Sequence, residues 1–261
     1  MSITDSLIFP ALADGGLNLQ ALFALEQLPA SLLAELKEAK AEAEGAEPFT
    51  HVLLLGHAGT QLWDSLQKKY WLRVQADPID HYSKTLVDDF LCASYPEAKV
   101  QWLYPLPEST INTPPKPVNL QAFGSLAGWH GDSPFRLGVN THWGSWYAYR
   151  ALLLVSGLPG TLPLTAIATE AQAEQQSVCT SCIDKPCIAA CPAGALSANF
   201  TDYNLNACID FRLQPDSPCR HQCLARSACP VGSEHQYSAE QMAYHYGVSL
   251  AMIQSWRARE N

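Results

Sequence analysis

A chain of 261 residues that is 48% hydrophobic can build one large domain or two modest ones, and no apolar run reaches the roughly 18 residues a membrane span requires. Its 16 Lys and Arg stand against 25 Asp and Glu, for a net charge of −9. No basic stripe appears, which argues against nucleic acid as a partner because such binding leans on clustered cations at phosphates. The opening residues, Met-Ser-Ile-Thr-Asp-Ser-Leu, lack the basic-then-apolar order of a secretory signal, so a soluble protein of the reducing cytoplasm is expected, without membrane attachment.

In chain order, residues 31–44 have apolar positions at helical spacing, with Ser31 as cap and Gly45 as stop. Residues 51–59 predict a buried strand and turn, followed by a helix over 60–70. The glycines of that turn fit neither dinucleotide nor P-loop spacing, so it is a plain turn. A helix over 80–95, a strand over 99–103 and a proline-rich extended connector over 105–117 come next. Asp77 and Asp80 flank Pro78, where a turn-and-cap role outweighs a catalytic one. Cys92 reads as a small buried apolar residue. Residues 120–129 predict a helix, and 137–139 and 146–155 predict strands around the aromatic turn Asn140-Thr-His-Trp-Gly-Ser-Trp. A linker over 159–176 leads to the cysteines, and two short capped helices, 238–246 and 249–256, close the chain. Helices and strands alternate irregularly, which favours α+β over a doubly wound sheet. The expected domains are residues 1–176, a cysteine module over 177–232, and C-terminal helices over 233–261 packing back on the first domain.

Eight of the 9 cysteines lie in the last third: Cys179-x2-Cys182-x4-Cys187-x3-Cys191-Pro192, then Cys208, then Cys219-x3-Cys223-x5-Cys229-Pro230. A cubane iron–sulfur cluster needs four thiolates converging from different directions, so a tight turn supplies three and a distant cysteine closes the site. In ferredoxin-type runs the cysteine before proline serves the other cluster. That predicts Cys179, Cys182, Cys187 and Cys229 around one [4Fe-4S] cluster, and Cys191, Cys208, Cys219 and Cys223 around a second. The four-residue gap between Cys182 and Cys187 exceeds the usual two but removes no ligand. Two structural zinc ions and a set of disulfides are the competing uses of eight cysteines.

Three segments, Leu72-Arg-Val-Gln-Ala-Asp-Pro-Ile-Asp-His, Lys116-Pro-Val-Asn-Leu-Gln-Ala-Phe-Gly-Ser-Leu-Ala-Gly and Trp143-Gly-Ser-Trp-Tyr-Ala-Tyr-Arg-Ala-Leu-Leu-Leu, resemble CblC-type cobalamin-processing proteins. Tyr237-Ser-Ala-Glu-Gln-Met-Ala-Tyr is similar to that family's tail. The resemblance implies a flavin-nitroreductase-like domain that holds cobalamin base-off and removes its upper axial ligand, with FMN as the other cofactor such a domain admits. It also implies residue roles. Gln121 and Gly128 match positions lining the corrin pocket, Gly144 and Trp146 match a Gly-x-Trp turn, and Arg150 matches the arginine after it. Where that family has an arginine associated with glutathione, this chain has His142, followed by Trp143, which puts glutathione-dependent dealkylation in doubt. The run Cys191-Pro-Ala-Gly-Ala-Leu followed by Cys208-Ile-Asp-Phe-Arg-Leu is similar to epoxyqueuosine reductases and, more loosely, to reductive dehalogenases, which join a cobalamin domain to two cubane clusters.

Three functions are consistent with these features. The first is an oxidoreductase that receives electrons from a flavodoxin, ferredoxin or reductase and reduces a bound corrinoid, with His142 as proton donor. A second keeps cobalamin as a permanent cofactor to reduce an epoxide or halide. The third is a ferredoxin-like carrier. His142 also reads as a plain hydrogen-bonded turn residue, and Trp129, Trp143 and Trp146 as core.

Overall fold

The computed structural model describes residues 7–39, 49–69, 77–105, 117–168 and 178–260. The chain divides into two compact units, one comprising Met1–Ala127 with Tyr147–Thr169 and the other Gly128–Trp146 with Glu170–Asn261. The segment 128–146 therefore groups with the cysteine region, a division that a cut in sequence order at residue 176 does not make.

The first unit is a mixed α/β fold around four antiparallel strands in the order β1-β2-β4-β3. These are β1 (Leu19–Ala24), β2 (His51–Ala58), β3 (Lys99–Tyr104) and β4 (Tyr147–Ser156). Leu54 of β2 pairs with Ala21 on one side and Leu152 on the other. From Val52 to Ala58 strand β2 is buried without alternation, the pattern of a strand covered on both faces. Each leucine buried there contributes about 1.5–3 kcal/mol. The helices are α1 (Pro10–Asp14), α2 (Ala30–Ala39), α3 (Gln61–Lys68), α4 (Pro78–Ser94) and α5 (Leu120–Leu126). Pro78 opens α4 because its fixed φ suits a first helical turn, and the Asn119 side chain caps α5 by accepting from the Ala122 N–H at 3.1 Å.

Several expectations need correction. Helix α2 begins at Ala30, so Ser31 lies inside its first turn, and the rest of that predicted helix with Gly45 lies outside the described residues. Helix α5 stops at Leu126 because Gly128 takes a positive φ of 70°. Residues 137–139 are not a strand; Val139 exchanges backbone hydrogen bonds with Gly131 in a turn. Cys92 is exposed on α4. Strand β1 and helix α1 had not been expected. Tyr70, most of the 105–117 connector and the end of the 159–176 linker also lie outside the described residues.

The second unit is built of short helices: α6 (Val178–Ser181), α7 (Pro186–Ala189), α8 (Leu205–Leu213), α9 (Leu224–Ser227) and the long α10 (Ala239–Glu260). Where two terminal helices were expected there is one, since Gly247 continues the helical turn and Ser249, instead of capping a new helix, accepts a hydrogen bond from Arg212. Ser238 does cap α10, accepting from the Gln241 N–H. One apolar cluster gathers Phe135, Val139, Cys179, Cys187 and Ala225, and another gathers Trp146, Tyr237 and Met242. Among the described residues no helix is long and apolar enough to cross a membrane.

Candidate metal centre

All 9 cysteines are described, and all are free thiols. Cys179, Cys182, Cys187 and Cys229 line one cavity, while Cys191, Cys208, Cys219 and Cys223 line another. Phe135 borders both. Helices α7 and α9 explain the interleaving: Cys187 lies on α7 and Cys191 just beyond it, while Cys223 caps α9 and Cys229 follows it. Cys187 and Cys191 are four residues apart and Cys223 and Cys229 six, so across each short helix the chain passes from one cavity to the other.

The long gap between Cys182 and Cys187 is closed by Lys185. Its backbone sits at φ 39°, and its ammonium donates to the Cys179 carbonyl at 3.0 Å and the Cys182 carbonyl at 2.7 Å. Pro186 then starts α7, which carries Cys187.

Burial raises the thiol pKa values, most for Cys179, which is pushed up to about 12 by desolvation and then by the neighbouring Cys229, Cys187 and Cys182 sulfurs. Burial likewise pushes up Cys187, Cys219, Cys223 and Cys229. Backbone N–H groups act in the other direction: those of Ile188, Leu224 and Val231 donate to Cys187, Cys219 and Cys229, and those of Ala225 and Arg226 donate to Cys223. Thiolate ligands would gather here only around a positive centre that outweighs burial and mutual repulsion. No three His, Cys, Asp or Glu groups among the described residues converge as a single-ion site. Four cysteine thiols lining each cavity are the donor set that a cubane iron–sulfur cluster takes.

Two arginines missed by the sequence reading support the second group. Arg226, 7% exposed, lies over the rings of Trp146 and Tyr237 at 4.5 and 4.9 Å and donates from Nε to Ser145 Oγ at 3.1 Å. Its charge also favours the Cys223 thiolate. Arg212, 8% exposed, donates to the carbonyls of Cys219 and Tyr246. The Tyr203 hydroxyl hydrogen-bonds the side chain of Cys208, whose helix is capped by Asn204. Position gave one clue, since Arg226 falls between Cys223 and Cys229; nothing in the sequence marked Tyr203.

The 140–146 turn belongs to this unit. Asn140 Oδ1 accepts from the N–H groups of His142 and Trp143, Asn140 Nδ2 donates to the Gly128 carbonyl, and Asn140 bridges to Gly144. His142 is exposed, its ring edge-on to Trp143 at 4.6 Å and 4.9 Å from the ring of His235, which lies 4.2 Å from Trp143. Trp146 is fully buried and Trp129 nearly so. Both are core residues.

Gln121 and Arg150 belong to the first unit. Gln121 is exposed on α5. Arg150 is the extra residue of a β-bulge, since Leu55 pairs with Ala151 and Gly56 with Tyr149. The bulge aims Arg150 Nε at His57 Nδ1, 3.0 Å away, and sets its guanidinium 3.7 Å from Asp80. Arginine can only donate, so His57 Nδ1 carries no proton. Burial raises the Asp80 pKa, and Arg150 partly offsets it. Asp77, at φ 47°, occupies the cap position of α4 without a side-chain cap bond.

The fold and site define a mixed α/β protein whose second unit carries two separate four-thiol sites. No family profile and no curated protein matches the chain. Among solved structures it is similar to epoxyqueuosine reductase from Bacillus subtilis (14% identity, TM-score 0.48, covering 90% of this chain and 67% of that one). It is also similar to an epoxyqueuosine reductase crystallised with a tRNA-Tyr epoxyqueuosine-modified stem loop (13%, TM-score 0.47, 90% and 67%). A third is a C. elegans B12-trafficking protein, CblC (12%, TM-score 0.43, 87% and 84%). These are the two families to which the sequence motifs pointed.

Proposed function

We propose that this chain is an iron–sulfur corrinoid reductase that binds cobalamin base-off and reductively removes its upper axial ligand. The observation that carries the reading is the joining of the 140–146 turn to the cysteine sites: Gly144 packs against the backbone of Val231 and Gly232, two and three residues after Cys229. Arg226 ties the same turn to Cys223. The segment resembling a corrin-binding turn is thus fixed to the segment that would hold metal.

Cys179, Cys182, Cys187 and Cys229 would hold one [4Fe-4S] cluster, and Cys191, Cys208, Cys219 and Cys223 the other. When bound, the clusters supply single electrons at low potential. One electron converts Co(III)–cyanide to Co(II) and cyanide ion, which takes a proton to leave as hydrogen cyanide. Loss of the lower base makes cobalt easier to reduce. His142 has the role of proton donor, supported by its exposure beside Trp143. Gly128 and Gly144 are assigned corrin contacts on their motif matches. Titration of anaerobically purified protein with cob(III)alamin tests the reading: absorption should shift to base-off bands over a brown iron–sulfur background, whereas an unchanged base-on spectrum would sink it.

A further inference from the structure

The second unit also holds a cavity of about 480 Å³ that is lined by no cysteine and by no residue of the 140–146 turn. Its walls come from the 217–222 stretch, between α8 and α9, and from residues 236–243 at the start of α10. Gln222 alone also borders the cavity of the second cysteine group. At this size the cavity falls within the range of small-molecule sites, about 300–1,000 Å³.

The chain has 25 acidic residues against 16 basic ones, yet no Asp or Glu among the described residues lines this cavity, whereas Arg220 and His221 do. Arg220 is fixed on one side, where Nη1 donates to the carbonyls of Leu213 at 3.4 Å and Gln214 at 3.2 Å. Its other N–H groups have no partner among the described residues. A guanidinium anchored in this way keeps donors for a phosphate, which its planar fork matches. Ala239, the first residue of the 22-residue α10, brings the positive end of a long helix to the same wall. Pro218, Tyr237 and Met242 supply apolar surface, and the amides of Gln222 and Gln236 supply hydrogen-bonding groups.

A mononucleotide combines what these groups recognise: a phosphate, a flat ring with apolar faces, and polar ring edges. We infer that this cavity binds a mononucleotide, its phosphate on Arg220 and its ring against Tyr237, Met242 and Pro218. The site is separate from the corrinoid reading, since it uses neither the cysteines nor the aromatic turn.

Isothermal calorimetry on the anaerobic holoprotein tests it, with AMP and FMN as probes beside adenosine, riboflavin and inorganic phosphate. At least one of AMP and FMN should bind, one per chain. The matching nucleoside or riboflavin, which lacks the anion, and phosphate, which lacks the ring, should each bind at least about tenfold more weakly. Arg220→Gln removes the fork, and Ala243→Glu sets a carboxylate on an exposed helical position of the cavity wall. Each variant that retains the wild-type unfolding midpoint should bind the mononucleotide at least about tenfold more weakly. If Arg220→Gln does not fold, Ala243→Glu decides. The inference is overturned if neither AMP nor FMN binds, if the uncharged analogue or phosphate alone binds as tightly, or if either folded variant binds like the wild type.

Discussion

Gly144 and Gly232 meet backbone to backbone, each in the left-handed region at φ 57° and 63°, with no room for a side chain on either. A Cβ on Gly144 would run into the Val231 carbonyl, and one on Gly232 into the backbone of Trp143 and Gly144. This pair fastens the aromatic turn to the loop after Cys229.

Gly144→Ala is therefore expected to destabilise the second unit by roughly 2–4 kcal/mol, combining left-handed strain with a clash against backbone that cannot move aside cheaply. Guanidinium denaturation followed by tryptophan fluorescence measures it. A loss under about 0.5 kcal/mol would show that the two loops are not held together this way.

The interleaved sulfurs give a double-mutant test. Cys187→Ala and Cys229→Ala line the same cavity, so each should remove one cluster and the pair should remove no more iron than either alone. Cys187→Ala with Cys191→Ala, four residues apart in sequence, should empty both sites, a loss of about eight irons per chain against about four. Iron analysis reads it, and equal losses from the two double variants would contradict the grouping.

His130 is 8% exposed and 3.7 Å from Asp132; burial lowers its pKa below the ordinary 6.5, with Asp132 opposing. The unfolded chain then binds more protons than the folded one as pH drops below 6.5, so this residue's contribution is intact above that value and declines through the acid side. His130→Gln should flatten the fall in stability between about pH 6.5 and 5 while changing it less at pH 8. An unaltered slope in denaturation midpoints would rule the effect out.

Arg226→Lys keeps the charge but not the fork that reaches Ser145 while stacking on Trp146 and Tyr237. A destabilisation of about 1–3 kcal/mol is expected by thermal or chemical unfolding. A neutral result would mean the buried guanidinium does not brace the turn.

The sequence was most legible where chemistry depends on residue type and spacing. The two cysteine groups follow from the ferredoxin-type habit by which a cysteine before proline serves the other cluster, and the same two sets of four line two separate cavities. Strand β2 and helix α4 were readable from an apolar run and from Pro78. The bulge at Arg150 was not, because it depends on the register with Leu55 and Gly56, a relation between distant strands. Tyr203 was invisible for the same reason, and Arg226 was marked only by its place between Cys223 and Cys229: their roles come from what folding sets beside them. The unbroken helix α10 misled through Ser249, which reads as a cap but lies inside the helix and accepts from Arg212.

The most direct test of the central claim is anaerobic turnover of cyanocobalamin with a low-potential donor. The account predicts that the protein reduces the corrinoid and releases one cyanide per cobalamin reduced, with the rate depressed in His142→Ala and abolished in Cys229→Ala. Iron-loaded protein that binds the donor yet releases no cyanide, or releases it equally without its cysteines, would contradict it.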